Sequence, residues 1–112
     1  EINFIDFISK TDSFKVRENI FYDELGQSIK NKENIALVAI IQNPRATTYP
    51  WFVYGAYDLN VENLEEGGGY STIEEAASNA YRFAKKFQIE KGLFTRFISL
   101  KNKREDDEDD ED

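Results

Sequence analysis

Three stretches carry residue types that could do chemistry. Gly67-Gly68-Gly69 stands ahead of a helical pattern, where a glycine run can cradle phosphate. The phosphate-loop pattern needs Gly-Lys-Ser/Thr, however, and Tyr70-Ser71 brings no lysine. Asp58, Asn60 and Glu62 begin like a calcium loop, but Asn63 occupies the glycine position and Gly69 that of the bidentate glutamate. The third stretch is a run of carboxylates: Glu105, Asp106, Asp107, Glu108, Asp109, Asp110, Glu111 and Asp112. Such a block repels itself, resists burial and is expected to be disordered. On a tether it can occupy a cationic groove on its own domain or on a partner, or serve only to keep the chain soluble.

Histidine and cysteine are both absent. That removes the usual general base and the commonest metal ligand, and it excludes disulfides and thiolate metal sites. Carboxylates abound, yet nothing near any of them marks an acid/base couple. The expectation is a non-enzymatic protein with no cofactor and no metal.

Charge divides the chain. Of 22 acidic residues, 8 lie in residues 105–112 and all 14 Lys+Arg precede them, so the remaining 14 acids are balanced by 14 bases. The expected organisation is one α+β domain over residues 1–104 and an acidic tail over 105–112. No apolar run approaches the ~20 residues that span a bilayer, and the first residues lack a secretory pattern. A cytoplasmic location is therefore expected.

The strongest element signal covers residues 71–92. Ser71 and Glu74 fit a capping box. Ile73, Ala76, Ala77, Ala80, Ala84 and Phe87 make one apolar stripe, and Gly92 is a natural stop. Arg82, Lys85 and Lys86 could meet phosphates, but cations near a helix C-terminus are ordinary. Residues 14–30 read as a second helix with Gly26 inside it, or as a hairpin broken at Arg17-Glu18-Asn19. Residues 1–10, 34–42, 49–59 and 93–101 read as strands. The run 34–42 is apolar throughout, which suits a strand covered on both faces. Residues 60–70 read as a loop.

The order strand, helix, strand, strand, helix, strand resembles the ferredoxin-like plan, an antiparallel sheet with two helices on one face. Side-chain alternation then places Phe7, Phe52, Tyr54 and Phe97 on the uncovered face, unless a register slip turns these rings into the core. Exposed rings in a cluster suggest a binding surface. The first expectation is a small acidic interaction protein that engages a basic, nucleic-acid-binding protein, in the manner of a phage- or virus-type inhibitor or a partial DNA mimic. Its aromatic face could also make a homodimer. The alternative is a single-stranded DNA- or RNA-binding domain that stacks bases on those rings, similar to RNA-recognition domains of the same plan. Against it, YPWFVYGAY has no base ahead of its glycine, and Lys101 is the only cation placed on that face.

Overall fold

Between Asn34 and Gln42 every side chain is apolar, and such a strand is stable only with both faces out of water. The computed structural model, which describes residues 15–43, 45–58 and 61–98, puts this strand at the centre of a five-stranded mixed sheet. In chain order the elements are β1 (Lys15–Val16), α1 (Glu18–Lys30), β2 (Ile35–Gln42), β3 (Trp51–Ala56), β4 (Leu64–Glu66), α2 (Ile73–Lys91) and β5 (Phe94–Phe97). A 3-10 turn, Val61–Asn63, leads into β4.

β2, β3 and β4 form an antiparallel meander, with Leu37 opposite Ala56, Gln42 opposite Trp51 and Tyr54 opposite Glu66. The glycine stretch prolongs this ladder. Gly67 N–H donates to the Val53 carbonyl at 2.8 Å, and Trp51 and Tyr70 exchange both backbone bonds, at 3.2 and 2.7 Å. The other edge of β2 is shared by two parallel strands placed end to end. β5 lies along Ile35–Val38 and β1 along Ile40–Ile41.

Alternation along β2 sorts the core into two layers. On one face Ala36, Val38 and Ile40 pack with Val53, Leu93 and the α2 residues Ala76, Ala77, Ala80 and Phe87. On the other, Leu37, Ala39 and Ile41 pack with Val16, Tyr54, Ile98 and the α1 residues Phe21 and Leu25. The two helices therefore cover opposite faces. This corrects the ferredoxin-like expectation in two respects: β1 pairs with β2 in parallel, and no helix-free sheet face remains over β2. The cause is β2 itself, since helices on one face only would leave Leu37, Ala39 and Ile41 against water. Residues 1–10, expected to be the first strand, lie outside the described residues, as do residues 99–112 with the acidic run.

α2 follows its pattern closely, with its start shifted by one residue. Thr72 is the cap, its hydroxyl accepting from Glu75 N–H at 3.2 Å, while the Glu75 carboxylate accepts from Ser71 N–H and Oγ at 3.3 and 3.1 Å. Gly92 ends the helix at φ 68°, a left-handed conformation that favours glycine. The buried alanines bring α2 close to the sheet. A Cβ on Gly55 would lie 3.0 Å from ring carbons of both Phe83 and Phe87.

α1 is tied down differently. Arg96 of β5 reaches under it, donating to Ser28 Oγ at 2.7 Å and to Glu33 Oε1 at 3.2 Å, with Glu24 at 3.7 Å. Ser28 in turn donates to Glu33 at 2.8 Å. Ser28 and Glu24 are both buried, so this clasp satisfies polar groups that the helix carries into the interior. Among the described residues no helix is long and apolar enough to cross a membrane.

Candidate functional site

The start of α1, the end of β2 and the middle of β3 enclose a groove of about 890 Å³, a volume in the range of ligand pockets. Each element contributes a different chemistry. β3 presents Phe52 and Tyr54 as the apolar wall. Glu66 joins them because β4 pairs Tyr54 with Glu66, and directly opposed residues in an antiparallel pair share a face. α1 adds Glu18 in its first turn, where the helix dipole favours a carboxylate. Arg17, which precedes the helix, and Arg45, in the β2–β3 connection, supply positive charge at the rim. Gln42 and Asn43 add amides, and Asn43 Oδ1 accepts from Arg45 N–H at 3.0 Å to shape the turn.

The rings and carboxylates form one connected corner. Tyr54 hydroxyl donates to Glu18 Oε2 at 3.0 Å. Its ring meets Phe21 and Tyr22 edge-to-face, at centroid distances of 5.6 and 6.1 Å. Burial first, then hydrogen bonding to Glu18 and Glu66, keeps the Tyr54 phenol protonated far above the ordinary tyrosine range. Tyr22 beside it is also shifted upwards, by burial and then by the negative charge of the same two glutamates. Burial is the larger cause for both phenols, and the carboxylates of Glu18 and Glu66 add to it.

Lys15 borders the groove, but its ammonium is held elsewhere. Val16 faces α1, so Lys15 faces the opposite layer, and its Nζ lies 5.7 Å over the Trp51 ring. The groove accordingly has two poles, one of Arg17 and Arg45, the other of Glu18, Glu66 and the phenols.

Of the residues expected to form an aromatic binding face, the structure brings two together. Phe52 and Tyr54 lie on the α1 side, Phe52 half-buried and Tyr54 8% exposed. Phe97 packs on the α2 side with Val38 and Val53, the reverse of its expected placement. Phe7 and the acidic residues 105–112 lie outside the described residues. The sheet face expected to be bare packs against the α1 residues Phe21 and Leu25. The glycine stretch is held along β3 by Gly67 and Tyr70 at its two ends. Two of the three basic positions of α2 are engaged, Lys86 bonded to Glu65 at 3.0 Å and Lys85 at 5.9 Å over the Tyr81 ring. No group of His, Cys, Asp or Glu able to hold a metal ion occurs among the described residues.

Sequence reading missed Glu18, Tyr22 and Glu66. Glu18 stood at the point where helix and hairpin readings competed, and Glu66 in a stretch read as loop. The only available signal was Leu64-Glu65-Glu66, too short for alternation to register. No family model matches the chain, and neither a curated protein nor a solved structure is significantly similar to it.

Proposed function

We propose that the chain is a non-enzymatic binding module whose groove takes a basic segment of a protein partner. The observation that carries this is the convergence of Glu18 and Glu66 on Tyr54, whose hydroxyl donates to Glu18 Oε2 at 3.0 Å and whose strand partner is Glu66, with Tyr22 packed against the same ring. Carboxylates beside aromatic rings suit a lysine or arginine side chain, which gains an ion pair and a cation–π contact together. The net charge of −8 adds long-range attraction for the same class of partner.

Base stacking is less well served. Tyr54 is buried against Phe21 and Tyr22, which leaves Phe52 as the only partly open ring of the expected set in the groove. Glu18 and Glu66 would also repel a phosphate backbone.

Calorimetric titration with a short Arg/Lys-rich peptide tests the reading. Binding at low salt with a Kd on the order of micromolar is expected, and the double variant Glu18→Gln/Glu66→Gln should weaken it about tenfold. Equal affinity in the double variant would overturn the assignment of the site. So would salt-sensitive binding of a single-stranded oligonucleotide with no uptake of the peptide.

A further inference from the structure

We propose that the acidic run, residues 105–112, seats on Arg17 and Arg45 and converts a groove of mixed charge into one that is acidic throughout. The purpose of this seat rests on the basic-segment reading above, although the seat itself needs no partner.

The place where the described chain ends supports it. Ile98 N–H donates to the Val38 carbonyl at 2.8 Å, and Ile98 shares a buried cluster with Val16, which also lines the groove. β5 runs parallel to β2 in the direction of β1. Lys15 pairs with Ile40, two residues beyond Val38 and so roughly 7 Å further along the strand. At Ile98 the described chain is thus directed towards the start of α1. Six residues, 99–104, separate Ile98 from Glu105, enough to span roughly 20 Å when extended.

Charge supports it too. Arg17 and Arg45 are exposed, and among the described residues no carboxylate lies within ion-pair distance of either. Glu18, the nearest acid in sequence to Arg17, is engaged by the Tyr54 hydroxyl. The start of α1 has no side-chain cap, so its N-terminal dipole adds to the same positive pole. Eight carboxylates tethered within reach find these cations at high effective concentration. Once they are neutralised, an incoming basic segment meets carboxylates and rings with no opposing guanidinium.

Amide chemical-shift maps of the full chain and of a chain ending at Arg104 test the seat without any ligand. Differences should gather at residues 17–20 and 42–45, fade at about 0.5 M salt, and vanish in the Arg17→Gln/Arg45→Gln background. Differences confined to residues next to the cut would overturn the proposal. In peptide titrations the shortened chain should bind the Arg/Lys-rich peptide about tenfold more weakly. Equal affinity with and without the run would also overturn it. If neither chain binds the peptide, the basic-segment reading fails, and the shift maps still decide whether the run occupies the groove.

Discussion

Tyr54 carries more of the site than its small exposed area suggests. Its hydroxyl has a charged acceptor in Glu18, and its ring packs between Phe21 and Tyr22. Tyr54→Phe keeps the packing and removes only the bond, so unfolding free energy should drop by about 1 kcal/mol in urea titrations. The pH dependence follows from the direction of the shift. A phenol whose folded pKa lies above its unfolded value of 10.0 adds stability that is complete below that value and is lost as pH rises past it. Urea midpoints should therefore fall between about pH 9 and pH 11, and fall less in Tyr54→Phe. An unchanged alkaline loss in that variant would assign it to other groups. At this scale the sequence was readable within each strand. Alternation correctly set Phe52 and Tyr54 apart from Trp51 and Val53, and Phe97 apart from Ile98. It could not say which face of β5 meets which face of β3. That depends on how both strands pair with β2, where Val38 stands beside Phe97 and also opposite Gly55.

Among the elements, α2 was the most legible because cap, alanine stripe and stop all agreed. β1 and β4 were illegible because two or three residues cannot establish a period. The contact between α2 and β3 depends on the absence of a side chain at Gly55. Gly55→Ala should lower stability by about 1–3 kcal/mol, read as a drop in melting temperature, because Phe83 and Phe87 must move to admit a methyl group. No change would mean that those rings have room to shift. α1 depends on the Arg96 clasp in a different way. Arg96→Met keeps much of the aliphatic stem but leaves buried Glu24 and Ser28 without this partner. A loss of about 1–3 kcal/mol in chemical unfolding is expected, at the lower end because Arg96 is a third exposed. A companion Glu24→Gln exchange should recover part of it by removing a buried charge that Arg96 no longer balances.

For the whole molecule, the α+β class could be read from the alternation of apolar periods, while the arrangement could not. The order of elements suggested helices on one face. The composition of β2 pointed the other way, and the packing followed β2: a strand apolar on both sides calls for cover on both sides. One consequence concerns synthesis. The far edge of β2 is completed by residues from opposite ends of the described chain, β1 at residue 15 and β5 at residue 94. A ribosome that has made everything up to α2 would still hold a half-zipped central strand, its amides along Ile35–Val38 with no β5 to meet them. Maturation must therefore wait for β5 to emerge, and a stalled or clipped product ending before Phe94 would carry a sticky margin inviting association with other chains.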